Sequence, residues 1–158
     1  MLKILNERPP NWNDICAVFD VERHKPIFAW GFFAYNPFGH QLELMPELIA
    51  HEEMHGLRQN CGPGAGMAAG TEQNERRIRL WWADYLASPS FRLEEEIPAH
   101  RAEYRQLLRI HGNDRPNRRR WLRHVADRLR NPLYGYNHLV TGKQAKRFIE
   151  LDETEAKG

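Results

Sequence analysis

Cysteine is scarce in this chain, with Cys16 and Cys61 the two thiols in 158 residues. Two cysteines cannot form a disulfide framework, so a reducing compartment is expected. Long apolar runs are missing too. The longest apolar-rich stretch, 26–38, is too short and too interrupted to span a bilayer as a helix. The opening MLKILNERPP lacks the apolar core of a cleavable signal. No internal repeat or low-complexity tract is visible. These absences exclude disulfide-rich, membrane and fibrous classes and lead to the expectation of a soluble, intracellular or virion-associated protein.

What is present suits one compact domain with an appendage. The chain is 41% hydrophobic and 11% aromatic, enough to enclose a core at this length. The net charge of +2 hides an uneven distribution: residues 111–147 carry 10 basic and 2 acidic side chains, and the last eleven residues carry 1 basic and 4 acidic. Residues 1–110 are expected to form the main domain, and 111–158 a basic helical extension packed on it with a frayed acidic tail.

The fold class expected is α+β, with a small antiparallel sheet and a mostly helical C-terminal half. ICAVFD at 15–20 and IFAWGFFAY at 27–35 are rich in β-branched and aromatic residues and predict two antiparallel strands. Pro46 suits a first helical position, and CGPG at 61–64 a stop, so a helix is predicted over 46–60. After a Gly/Ala-rich loop at 62–70, Ile78, Trp81, Trp82 and Tyr85 give a helix over 72–87 an aromatic buried face. A further helix is predicted over 94–110, started late because Pro98 would break a hydrogen bond inside it. Two more follow: one buries Leu122, Val125, Ala126 and Leu129, and one opens with a Thr141/Gln144 capping box and buries Ala145, Phe148 and Ile149.

The chemistry lies in LIAHEEMHGLRQ. His51 and His55 stand four apart, one turn along one helix face, so both imidazoles can reach a single Zn²⁺ at about 2.0–2.1 Å. Glu52 sits at the edge of that face, where it can take a proton from an activated water instead of binding the metal. Composition alone yields such an HExxH in roughly one sequence in twenty-five, so context must add weight. It does: Ala50, Met54 and Leu57 predict a second, apolar buried stripe on the same helix. Two histidines and a glutamate buried beside that stripe are costly without a partner.

A third ligand can come from two places. Cys61 occupies the place of the last histidine in HExxHxxGxxH, but Arg58 replaces the glycine of that pattern. Downstream, FRLEEEIPAHRAEYR puts Glu96, Ala99, His100, Glu103 and Leu107 on one helical face, able to set a carboxylate against the HExxH helix. Glu96 is the better candidate. His100 and Glu103 could orient the ligand histidines. Tyr85 and Tyr104 could instead polarise a scissile carbonyl.

HEEMHGLRQ followed by EIPA resembles the glutamate-ligand zincins, the gluzincin branch of metallopeptidases. That resemblance implies Glu96 as the third zinc ligand. More narrowly, YNPFG, LIAHEEMHGLRQ and WWADYLASPSFRLEEEIPAHRAEY resemble small zincin-like proteins of tailed phages and prophages. A zinc-dependent hydrolase acting on a peptide or protein follows as the expectation, located in the host cytoplasm or the virion. In that architecture the strand at 27–35 would be the edge that pairs with an extended peptide; its composition equally suits a core strand. The alternatives are a phage structural or assembly protein without turnover, and a nucleic-acid-associated protein. The last would use Arg118, Arg119, Arg120 and Arg123, with Trp121 as a stacking group.

Overall fold

The computed structural model describes residues 2–61 and 72–150, the side chains at 60 and 61 excepted. The expected loop at 62–70, the Cys61 thiol and the acidic tail lie outside the described residues. The protein is α+β, mostly helical, with one three-stranded mixed sheet. In chain order the elements are β1 (Lys3–Leu5), α1 (Trp12–Val18), α2 (Val21–His24), β2 (Phe28–Trp30), β3 (Phe33–Tyr35), α3 (Pro46–Gly56), α4 (Glu72–Ala87), α5 (Pro89–His111), α6 (Arg115–Leu129) and α7 (Gly142–Glu150). A π-helical turn, Leu57–Cys61, continues α3, and a 3-10 turn, Pro132–Tyr134, follows α6.

Two expectations about strands are corrected. Residues 15–20 form no strand: α1 covers most of them, because Asn11, Ile15 and Phe19 are buried while Cys16, Ala17 and Val18 face solvent. That spacing of four is helical, and it overrides the β-propensity of the side chains. The sheet is not purely antiparallel either. Residues 27–35 fold on themselves as the β2–β3 hairpin around Gly31, whose φ of +60° suits glycine, and β1 joins β3 in parallel.

The helix expected over 94–110 begins earlier. Ser88 caps α5 by accepting from the Phe91 N–H at 3.2 Å, and Pro89 occupies the first turn, so Pro98 lies inside the helix. Glu94, whose carbonyl would have received the missing N–H, lies on the exposed side, where water can replace the donor. The apolar stripe expected on α3 is corrected as well. Ala50 and Met54 are only half-buried and Leu57 is exposed, whereas His51, Glu52, His55 and Gly56 are buried. Helix α3 therefore turns its polar face inward, against α5.

Two apolar cores flank that contact. One gathers Ile15, Phe19, Phe28, Trp30 and the aromatic face of α4, with Ile78, Trp81, Trp82 and Tyr85. The other joins Tyr104, Leu107 and Leu108 of α5 to Leu122, Val125, Ala126 and Leu129 of α6 and to Ala145 and Ile149 of α7. Phe148 is half-buried at its margin. The capping box at α7 forms: Thr141 N–H donates to Gln144 Oε1 at 2.8 Å, and Gln144 N–H to Thr141 Oγ1 at 3.2 Å. No helix among the described residues is long and apolar enough to cross a membrane.

Candidate metal centre

Helices α3 and α5 cross with their polar faces together. From α3, His51, Glu52 and His55 project inward; from α5 come Glu96, His100 and Glu103, all nearly inaccessible to solvent. The buried group His51, Glu96 and His100 could hold a metal ion, since its ligand atoms lie within 4.8 Å of one another. His55 approaches more closely. Its Nε2 stands 3.2 Å from His51 Nε2 and 3.2 Å from Glu96 Oε1, while His51 Nε2 stands 3.4 Å from Glu96 Oε2. His100 is partly committed elsewhere, with Nδ1 2.9 Å from the Glu96 carbonyl oxygen one turn back.

Around the three closest groups lies a supporting layer. Glu103 faces two ways: Oε2 stands 3.3 Å from His51 Nδ1, and Oε1 stands 3.1 Å from Arg128 Nε on α6. Tyr85 donates its hydroxyl to Glu96 Oε1. Arg58 grips Glu95 through two bonds of 2.7 Å, and Trp81 Nε1–H donates to the same carboxylate at 2.9 Å, tying α3, α4 and α5 together beside the centre. Gln59, in the π-helical turn, accepts from the Gly31 N–H at 2.7 Å and donates to the Ala29 carbonyl at 3.1 Å, which fixes α3 to the hairpin.

The electrostatics follow from burial and proximity. Burial pulls the His51 pKa down, but the Glu103 and Glu96 carboxylates outweigh it and raise it to about 10. Burial pushes Glu96 up, yet His55, His100 and His51 hold it well below the usual carboxylate range. Glu103 likewise resists burial and falls to about 2 because of His51 and Arg128. Glu52 differs: burial raises it, opposed by His51 and His55. It makes no hydrogen bond among the described residues and lines two adjoining recesses. Burial raises the Tyr85 and Tyr134 phenols well above their ordinary value, so both remain protonated donors.

One recess has Phe19, Phe28, Trp81, Trp82, Tyr85 and Tyr134 around His51, Glu52, His55 and Glu96. The structure thus brings together His51, Glu52, His55, Glu96, His100, Glu103 and Tyr85. It does not bring Tyr104, which packs in the second core with its hydroxyl 3.4 Å from the Arg118 carbonyl. A carbonyl-polarising role for Tyr104 is set aside on that ground. Nor is the 27–35 strand an open edge for a peptide. The Ala29 carbonyl of β2 already accepts from Gln59 and, at 3.1 Å, from Trp82 Nε1–H. Trp121 is no free stacking platform, for its ring stacks on His111 at 4.6 Å and carries the Arg120 guanidinium 4.8 Å away. Arg118, Arg119, Arg120 and Arg123 remain exposed on α6.

Sequence reasoning missed three contributors. Arg92 is buried and donates to the carbonyls of Tyr85 at 2.9 Å, Leu86 at 3.0 Å and Tyr134, anchoring the end of α4 and the 3-10 turn. That turn delivers Tyr134 to the recess. Arg128 sits five residues beyond Arg123, the last of the arginines singled out on α6. Its pairing spans α5 and α6, and no local spacing signals it.

This defines an α+β protein with a buried His/Glu group able to hold a metal ion between two helices. No protein-family model matches the chain, and no curated protein or solved structure matches it.

Proposed function

We propose that the protein is a zinc-dependent hydrolase of zincin type, acting on a peptide or other amide, with His51, His55 and Glu96 as ligands and Glu52 as general base. One observation carries the reading. Ligands about 2.0–2.1 Å from a tetrahedral Zn²⁺ stand ~3.3 Å apart, and the separations between His51 Nε2, His55 Nε2 and the Glu96 carboxylate are 3.2–3.4 Å. The donor set, two imidazoles and one carboxylate, suits zinc and leaves a fourth position open. A bound zinc ion would polarise the scissile carbonyl and make water acidic enough to attack it.

The protein's own groups supply the rest. Glu52, buried and unbonded at the junction of both recesses, accepts a proton from water and passes it to the departing amine. Glu103 orients His51 through Nδ1, and Tyr85 holds Glu96 by donating to it. Tyr134 offers a protonated phenol towards the recess, suited to a developing oxyanion. A phage or prophage origin, and a place in the host cytoplasm or the virion, extend this reading on the sequence resemblance alone.

Native mass spectrometry of protein purified without chelator tests it. One zinc ion per chain is expected, lost in His55→Ala. Protein that stays metal-free after zinc is added would overturn the hydrolase and leave a structural protein, its buried ion pairs merely joining α3 to α5. The exposed arginine face of α6 favours a second, compatible reading: contact with nucleic acid or an acidic partner surface.

A further inference from the structure

The second recess differs from the aromatic one in charge. It meets the first along Pro26, Ile27, His51, Glu52, Leu133 and Tyr134. Its remaining polar lining is His24, Lys25, His40, Arg128 and Asn131, and Glu52 is the only carboxylate among its lining residues. Two cationic side chains, Lys25 and Arg128, therefore line the recess that also holds the proposed general base, Arg128 being paired behind it with Glu103.

Each cation is held by structure on its other side. Arg128 uses Nε for Glu103, leaving its terminal N–H groups as donors. Asn131 accepts from the Leu133 N–H at 2.9 Å through Oδ1, which leaves its amide N–H groups to donate. Lys25 is the most telling. It ends α2 in the left-handed conformation, φ +46° and ψ +53°, and is the only non-glycine with positive φ among the described residues. Glycine or asparagine normally takes that place, because a β-carbon is disfavoured there. The conformation is pinned from both ends: the Lys25 N–H donates to the Val21 carbonyl at 2.7 Å, and its own carbonyl lies 2.7 Å from His40 Nε2. A lysine kept at a glycine position on the rim of a recess points to a use for its charge.

We infer that this recess receives a carboxylate of the substrate, held by Lys25 with Arg128 and Asn131 while the scissile amide lies at Glu52. The inference rests on the hydrolase reading and adds a substrate class to it: amides bearing an acidic group close to the cleaved bond. A free C-terminal carboxylate and an acidic side chain share that chemistry.

Calorimetric titration of zinc-loaded protein with three succinyl hydroxamates separates these cases. One is coupled to alanine, one to alaninamide and one to glutamic acid α-amide. At least one carboxylate probe should bind about tenfold more tightly than the neutral alaninamide, and whichever gains identifies the source. Lys25→Asn, which suits the left-handed conformation, should remove that gain while leaving alaninamide binding and the unfolding temperature unchanged. Equal affinity for all three, or a gain that survives Lys25→Asn, would overturn the inference. If none of the hydroxamates binds zinc-loaded protein, the hydrolase reading fails and takes this inference with it.

Discussion

Gly56 and Gly31 touch backbone to backbone: a β-carbon on Gly56 would stand 2.3 Å from the Gly31 carbonyl oxygen. Helix α3 thus lies against the hairpin turn with no space for a side chain, and Gln59 ties the same turn to the helix. The obstructing atom is backbone and cannot swing away. Gly56→Ala should cost about 1–3 kcal/mol in urea unfolding and weaken zinc binding, because His55 is its neighbour. An unchanged unfolding midpoint would show the contact to be looser than described.

The choice between His55 and His100 as second imidazole ligand can be made by substitution. His55→Ala should abolish zinc binding in competition with a chelating dye. His100→Ala should weaken it by roughly 10–100-fold, as loss of a supporting group does. Glu96→Ala should behave like His55→Ala, and Cys61→Ser like the unaltered protein. A reversed order for the two histidines would move the centre towards the His51, Glu96 and His100 group.

Glu52→Gln should keep both metal and fold, since an amide of the same shape replaces a group that makes no hydrogen bond among the described residues. Turnover should fall by roughly 10²–10⁴-fold, measured on whichever amide substrate the protein cleaves. Full activity in this variant would refute the general-base role.

Zinc uptake should release a proton. His51, raised to about 10, is an imidazolium in metal-free protein at neutral pH, and a metal needs its neutral form. Protons therefore compete with the metal at all pH values below that pKa. Apparent affinity should climb roughly tenfold per pH unit between about pH 6 and 9. Calorimetry in buffers of different ionisation heat counts the proton directly, and a flat affinity over this range would contradict the pairing of His51 with Glu103.

Any nucleic-acid affinity should come from the exposed face of α6. Binding should weaken steeply with salt as counterions are released, and joint replacement of Arg118, Arg119, Arg120 and Arg123 by alanine should remove it. Binding that survives this replacement, followed by fluorescence anisotropy, would exclude the face.

What the sequence made legible was local. The 3.6-residue spacing of Ile78, Trp81, Trp82 and Tyr85 and the Thr141/Gln144 box can be read because neighbours in sequence determine them. The face Glu96, Ala99, His100, Glu103 and Leu107 was legible for the same reason, and all five are buried. Misreadings arose where tertiary contact decides. Ile15 and Phe19 carry strand propensity but are buried as one helical stripe under α4. Pro98 argues for a late helix start, and its cost of about 3 kcal/mol is offset by the bonds of Arg92, Glu95 and Glu96 in the turns before it. On α3 the expected apolar stripe failed because its polar face has partners on α5, which no spacing within α3 reveals.

The doubly occupied Ala29 carbonyl has a consequence for behaviour in concentrated solution. Strand β2 closes one side of the sheet, and on a three-residue strand paired to β3 its middle residue carries the outward-facing acceptor. Gln59 and Trp82 hold that acceptor, so a neighbouring molecule cannot extend the sheet there. The hairpin carries Phe28, Trp30 and Phe33, a composition that invites sticking between molecules whenever an edge lies bare. Two side-chain amide and indole donors thus act as a guard against self-association, and partial unfolding that frees Gln59 would be the step that starts aggregation.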